Sequence, residues 1–171
     1  HFDAHCGMEV VLGSGELVRT GMGANENSHI WQLYKHSFGP TVDGLFAQSN
    51  FGIVTKMGFW LMEEPEQSLA VTIMAFKRRD IVAFMDVLTS LMNAHIVSSQ
   101  TTVLCPIMSA PTPEFIELVS RDATDQEWDD YANGQPFWIC TFSFYGPEGI
   151  VNANWEHTKE RFSVIPGIQF Q

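Results

Sequence analysis

Apolar and polar positions change rhythm several times along the chain, and each rhythm predicts an element. Met8-Glu9-Val10-Val11-Leu12 reads as a strand, Gly13-Ser14-Gly15 as a turn, and residues 16–20 as the returning strand. Residues 21–29 hold Gly21, Gly23, Asn25, Asn27 and Ser28, a loop composition. A short helix is expected over 31–35, a turn at Gly39-Pro40 and a helical turn over 43–48. Residues 52–62 are apolar on both faces, which predicts a central strand. Leu69, Val71, Ile73 and Ala75 alternate with Ala70, Thr72, Met74 and Phe76, again a strand. Ile81, Met85, Leu88 and Met92 recur at helical spacing, with Phe84 and Leu91 widening the stripe. Residues 101–105 read as a short strand. Thr112-Pro113 supplies an N-cap followed by proline at the first helical position. Thr124-Asp125-Gln126-Glu127 matches a capping box, so a helix runs into Tyr131. Residues 137–145 form a strand with Trp138, Cys140, Phe142 and Phe144 on one face. Gly146-Pro147 then opens a helix through Phe162 that Pro166-Gly167 stops. This order predicts an α+β sandwich with helices on one sheet face.

Charge divides the chain. Its 171 residues carry a net −11, but residues 1–62 account for only −2 and residues 63–171 for −9. Nine of the thirteen glycines lie in the first 62 residues, where they mark backbone that turns with positive φ or approaches something closely. The seam is Glu63-Glu64-Pro65-Glu66, which places the domains at 1–65 and 66–171. The acidity argues against a nucleic-acid surface or a basic membrane patch, and no apolar run reaches the roughly 18 residues of a membrane helix. Cys6, Cys105 and Cys140 are odd in number and far apart. That fits reduced, buried thiols and a reducing compartment, cytoplasm or peroxisome. The acidic cluster Asp122, Asp125, Glu127, Asp129 and Asp130 reads as a solvated helix face.

The chemistry legible in the residues alone is sparse. No Walker loop, G-x-G-x-x-G, C-x-x-C, H-E-x-x-H or G-x-S-x-G is present. His1, Asp3, His5 and Cys6 are ligand-type residues, but strand alternation puts Cys6 on the opposite face from the other three, so no metal site is assigned. His29, His36, His95 and His157 are isolated, and Met57, Met62, Met74, Met85 and Met92 read as core filler. The glycine-bearing pieces Cys6-Gly7-Met8, Gly21-Met22-Gly23 and Ser49-Asn50-Phe51-Gly52 suit either tight turns or backbone that holds a phosphate or flat ring.

Three segments in order resemble the flavin oxidoreductases of the vanillyl-alcohol oxidase and 4-cresol dehydrogenase (p-cresol methylhydroxylase, PCMH) type. They are His5-Cys6-Gly7-Met8-Glu9-Val10-Val11-Leu12 with Gly15-Glu16-Leu17-Val18-Arg19-Thr20-Gly21-Met22-Gly23-Ala24; Phe38-Gly39-Pro40-Thr41-Val42-Asp43-Gly44-Leu45-Phe46; and Gln48-Ser49-Asn50-Phe51-Gly52-Ile53-Val54-Thr55-Lys56 through Met62. The resemblance is dense over residues 1–65 and thins beyond them. It implies that 1–65 close a PCMH-type FAD-binding domain. Residues 66–171 would then begin an α+β, ferredoxin-like substrate-cap domain with an antiparallel sheet. It implies FAD as cofactor, with His5, Cys6 and Gly7 along the flavin and Gly52, Ile53 and Val54 bringing main chain to its adenosine end. The implied chemistry is oxidation of a para-substituted phenol by hydride transfer to FAD, with oxygen or a cytochrome accepting the electrons. Family members are commonly dimers or larger, so a homo-oligomer is expected of the full-length protein. The family's catalytic aspartate precedes the position matching His1, and its phenolate site and covalent flavin attachment match nothing here. The chain therefore reads as an internal piece, and no catalytic residue is assigned.

Two alternatives stand beside this reading. One is an FAD-linked 2-hydroxyacid oxidoreductase of the D-lactate or glycolate type, which shares the Gly-Ile-Val-Thr strand. The other is a cofactor-free α+β interaction module that dimerises over an exposed sheet edge.

Overall fold

A computed structural model describes residues 4–36, 40–108 and 111–171. The chain forms two compact units, His1–Glu63 and Glu64–Gln171.

In the first unit, β1 (His5–Leu12) lies between β2 (Leu17–Arg19) and β3 (Gly52–Phe59), both antiparallel to it. The predicted β1–turn–β2 hairpin is present; Gly15 has φ +84° and its N–H closes the turn onto Leu12 O at 2.9 Å. Among the described residues β1, not the strand at 52–62, is the central one, with six consecutive buried residues from His5 to Val10. β3 is an edge strand that ends at Phe59, and Ile53 on it is 72% exposed. Two-faced apolarity correctly predicted a strand but not its place, because periodicity does not say what covers each face. Two bulges bend the β1–β3 ladder, one at Gly7 and one at Thr55. The helix expected over 31–35 is absent; hydrogen-bonded turns stand in its place. Trp31 is held by tertiary contacts instead, its Nε1 donating to Thr20 O at 2.9 Å. The helical turn expected over 43–48 is a single 3-10 turn, Asp43–Leu45. Gly39, in the expected turn before it, lies outside the described residues.

The second unit is a four-stranded antiparallel sheet in the order β5-β6-β4-β7. Its strands are β4 (Gln67–Ala75), β5 (Thr102–Leu104), β6 (Trp138–Gly146) and β7 (Gln169–Phe170). Helix α1 (Ile81–Asn93) connects β4 to β5, and α4 (Glu148–Phe162) connects β6 to β7. Two such βαβ crossovers interleaved around a central antiparallel pair make the ferredoxin-like arrangement implied by the resemblance. α2 (Pro113–Ser120) and α3 (Asp125–Ala132) are inserted between β5 and β6. The β4–β6 ladder is unbroken from Gln67↔Gly146 to Ala75↔Trp138. Its inward face, with Val71, Ile73, Cys140, Phe142 and Phe144, packs on α1 and α4. α1 buries Phe84, Val87, Leu88 and Leu91. Met85 and Met92, assigned to the core stripe by their spacing, are partly exposed. The i, i+3, i+4, i+7 set starting at Phe84 wins because it points at the sheet. A satellite core of Phe115, Leu118, Trp128 and Phe137 binds α2 and α3 to the start of β6.

Both predicted caps form. Thr112 accepts from Phe115 N at 3.1 Å with Pro113 at the first helical position. Thr124 and Glu127 make the reciprocal bonds of the capping box. The acidic face of α3 is exposed but tied down: Arg121 Nη1 meets Glu127 at 2.6 Å, Arg79 meets Asp125 at 3.4 Å and Lys77 meets Asp129 at 3.6 Å. Arg121 first, then the Thr124 N–H and hydroxyl, hold the Glu127 carboxyl down at about 2, below its ordinary 4.5. A carboxyl lowered in the folded state stabilises above the unfolded value and loses that contribution as pH falls through the folded one. Glu127→Gln is therefore expected to lower the urea midpoint at pH 7, and the gap to wild type should close between about pH 4.5 and pH 2. Midpoints that differ equally at both ends of that window would disprove the linkage.

Candidate functional site

Five of the six residues of the two expected contact segments are in β1–β3 ladder pairs, and the ladder sets their separation. His5 and Cys6 pair with Phe59 and Gly58 at one end; Gly52 and Ile53 pair with Leu12 and Val11 at the other. Gly7 is the bulge residue beside the first pair, and Val54 pairs with Val10. At about 3.3 Å per residue the two groups lie roughly 17 Å apart along β1. They cannot share one compact site, but an extended ligand could touch both ends of the ladder.

The glycines have a reason within the chain itself. Gly7 has φ +69°, and a Cβ there or on Gly23 would overlap the Trp31 indole. A Cβ on Gly52 would stand 2.5 Å from Val10 Cγ1 and 3.0 Å from Val11 O. Close approach is what these glycines permit, and at these positions the approaching groups belong to the chain's own side chains and backbone. Ile53, by contrast, presents its side chain to solvent.

Around His5 the structure adds a residue that sequence reasoning left out of the site. Asp43 is 1% exposed, and its Oδ2 lies 3.4 Å from His5 Nε2, also buried. Among the described residues neither Asp43 oxygen has a hydrogen-bond partner, although an aspartate at the start of a turn commonly accepts from nearby backbone N–H groups. A buried carboxylate without donors is costly. Its signal in the sequence was an acid set between the apolar Val42 and Leu45, a pattern also produced by ordinary turns. Beside it opens a cavity of about 190 Å³ lined also by Arg19, Thr20, Gly21, Lys35 and Thr41. The Cys6 thiol is pushed up by burial first and then by the Asp43 charge, with Lys35 opposing. It is a protonated thiol donating to Trp31 O at 3.7 Å, not a nucleophile. Burial alone pushes Cys140 up to about 12.

On the neighbouring stretch of β1 the buried Glu9 accepts from Arg19 Nε and Nη2 at 3.0 and 2.9 Å and from Thr55 Oγ1 at 3.1 Å, with Lys56 Nζ 3.3 Å away. Chiefly Arg19 holds its carboxyl below the usual range. Sequence reasoning passed over Glu9 because its partners come from two other strands.

The donor set beside His5 fits a cofactor that bears hydroxyls and phosphates. The unsatisfied buried carboxylate is an acceptor for a hydroxyl, and two cationic residues line the same cavity. Among the described residues no group of His, Cys, Asp and Glu could hold a metal ion; His1 and Asp3 lie outside them. No helix among the described residues is long and apolar enough to cross a membrane.

No family model matches the chain. It is 33% identical over 181 aligned residues to the 4-cresol dehydrogenase [hydroxylating] flavoprotein subunit of Pseudomonas putida, which covers 96% of this chain and 33% of that protein. p-Cresol methylhydroxylase with substrate bound superposes with a TM-score of 0.78 at 30% identity, over 100% of this chain and 34% of that one. The 4-ethylphenol oxidase of Gulosibacter chungangensis, in its isoeugenol complex, does so with a TM-score of 0.81 at 31% identity and the same coverage. The chain thus spans about a third of the length of these relatives.

Proposed function

From a chain that carries the sequence and fold of the vanillyl-alcohol oxidase and 4-cresol dehydrogenase family of FAD-linked oxidases, we propose that it is part of a flavoprotein that oxidises para-substituted phenols. The carrying observation is similarity to phenol-oxidising flavoproteins over essentially the whole chain, in sequence and in fold. In this proposal residues 1–65 supply one wall of the FAD site and residues 66–171 the start of the substrate cap. Oxygen or a cytochrome would take the electrons, and the full-length protein would be a homo-oligomer.

FAD, when bound, supplies the acceptor for a hydride leaving the benzylic carbon of the phenol. This chain's residues hold and orient. His5, Cys6 and Gly7 would line the cofactor at one end of the β1–β3 ladder, and the main chain at Gly52, Ile53 and Val54 would meet its other end. Asp43 would accept from a hydroxyl of the cofactor while keeping His5 in place through the 3.4 Å contact. The strand ladder and the Glu9–Arg19–Lys56 cluster make this wall rigid, so the contacts are set before the cofactor arrives. No proton transfer is assigned to any residue of the chain, and a catalytic group is sought outside it.

The test is spectroscopic. The full-length protein is expected to show a flavin band near about 450 nm that bleaches without oxygen on addition of a para-alkyl phenol and not of D-lactate or glycolate. Bleaching by the hydroxyacids alone would replace the phenol reading with the 2-hydroxyacid one. A full-length protein without flavin would overturn both. The 171 residues alone are expected to bind FAD only weakly, and tight stoichiometric binding by them would refute the assignment of only one wall.

A further inference from the structure

In the second unit, β4 runs out into three consecutive cations, Lys77, Arg78 and Arg79. The outer two reach α3, where Lys77 meets Asp129 and Arg79 meets Asp125. Arg78 turns elsewhere. Its guanidinium carbon lies 5.3 Å from the centroid of the Trp128 ring, and its carbonyl accepts from Trp138 Nε1 at 3.0 Å. Among the described residues no carboxylate pairs with it. This is notable in a segment of net charge −9, where acids outnumber bases and both neighbouring cations are paired.

The guanidinium stands at a cavity of about 250 Å³ walled by Phe115, Trp128, Phe137 and Trp138. The walls are rings set edge to face against one another: Phe115–Trp128 at 5.5 Å and Trp128–Phe137 at 5.8 Å between centroids. Such walls favour a flat apolar body, and the space suits one ring. An arginine at the mouth with no carboxylate paired to it favours a planar anion, which its fork can bind at two points. Asp122 shares the lining and sits at φ +50°, a left-handed conformation that a non-glycine residue adopts at some cost. Its charge repels negative groups away from the guanidinium, so the cavity suits one carboxylate held on Arg78 and not a dianion.

We propose that this cavity binds a single-ring aromatic monocarboxylate, with the ring against the Trp128–Phe137 wall and the carboxylate on Arg78. Neither the flavin wall of the first unit nor the phenol chemistry enters the assignment, so it stands or falls independently of the proposed function.

The experiment is a titration of the 171-residue chain with 4-fluorobenzoate, followed by 19F NMR, beside its neutral counterpart 4-fluorobenzyl alcohol. The carboxylate is expected to bind, and the alcohol at least about ten-fold more weakly, the discrimination given by a charge-assisted hydrogen bond. Arg78→Met should erase that difference while leaving the far-ultraviolet circular dichroism unchanged. Val119 lines the cavity and is 58% exposed. Val119→Trp fills the space from the outside of α2 and should abolish binding of both probes. Equal affinity for acid and alcohol, undiminished binding by either variant, or no binding of the carboxylate at millimolar concentration would overturn the proposal.

Discussion

Phe162→Ala is expected to lower the melting temperature of residues 64–171 by roughly 15 °C. Phe162 ends α4, is fully buried, and meets Phe84 of α1 with ring centroids 5.0 Å apart. It is the point where the two helices meet over the sheet, inside the cluster that also holds Ile73, Leu88, Leu91 and Val151. Truncating a buried phenylalanine costs about 3–5 kcal/mol, because the removed ring is lost from the core and neighbours close the gap only in part. That is a large fraction of the 5–15 kcal/mol typical of a whole domain. Here α4 has few other apolar anchors: Val151 is buried and Trp155 packs half-buried on the same core, while the remaining buried residue, Thr158, is polar. Calorimetry or circular dichroism of the variant checks it. A shift of only a few degrees would mean that α4 is held by its ends rather than by this contact. Phe162→Leu, which keeps most of the volume, should recover the larger part of the loss.

Gly58→Ala is the second large effect, in the other unit and for a different reason. Gly58 faces Cys6 across the β1–β3 ladder. An added Cβ would lie 2.5 Å from the Cys6 carbonyl oxygen and would also overlap the Gln32 amide. The amide is the far end of a side chain and can move. The carbonyl belongs to the central strand and cannot move without breaking ladder bonds. We expect a loss of about 2–3 kcal/mol, as for overpacking in a tight interior, read as faster hydrogen exchange at the β1 and β3 amides. Gly13→Ala is the control, since nothing lies within 4 Å of a Cβ there, and it should stay within about 0.5 kcal/mol. Equal effects at Gly13 and Gly58 would show that the ladder tolerates the methyl. Because His5, Cys6 and Gly7 stand on the same stretch of β1, Gly58→Ala should also weaken FAD binding by the full-length protein.

The local chemistry of the ends of elements was legible in the residues. Thr112-Pro113 and Thr124 to Glu127 dictated two helix starts because each cap satisfies its bonds within four residues of chain. Alternation over residues 69–76 and 137–145 placed, within two residues at each end, the strands whose inward faces build the larger core. The family resemblance rested on contiguous motifs and held across the chain. Errors arose where the deciding partner is far away in sequence. β3 was read as central from its own composition, yet its rank in the sheet depends on β1 and β2 pairing as they do. The α1 stripe was shifted toward Met85 and Met92, because spacing alone admits several overlapping stripes and only the sheet selects one. The short helix over 31–35 gave way to turns that seat Trp31 between Gly7 and Gly23.

The same division runs through the sites. Sequence marked His5, Cys6, Gly7, Gly52, Ile53 and Val54 but not Asp43, whose significance is a 3.4 Å approach to His5 across 38 positions of chain. It marked the acidic cluster but not Arg78, whose lack of a carboxylate follows from where α3 sets Asp125 and Asp129. What the sequence by itself determined is six of the seven strands among the described residues, the helix caps, the charge asymmetry and the family; the two-residue β7 was not among them. Each is carried by residues adjacent or regularly spaced along the chain. Only the tertiary structure decided which strand is covered on both faces, what each glycine makes room for, and which charges stay unpaired. Those depend on atoms brought together from distant positions, where burial and geometry choose among partners that composition leaves equivalent.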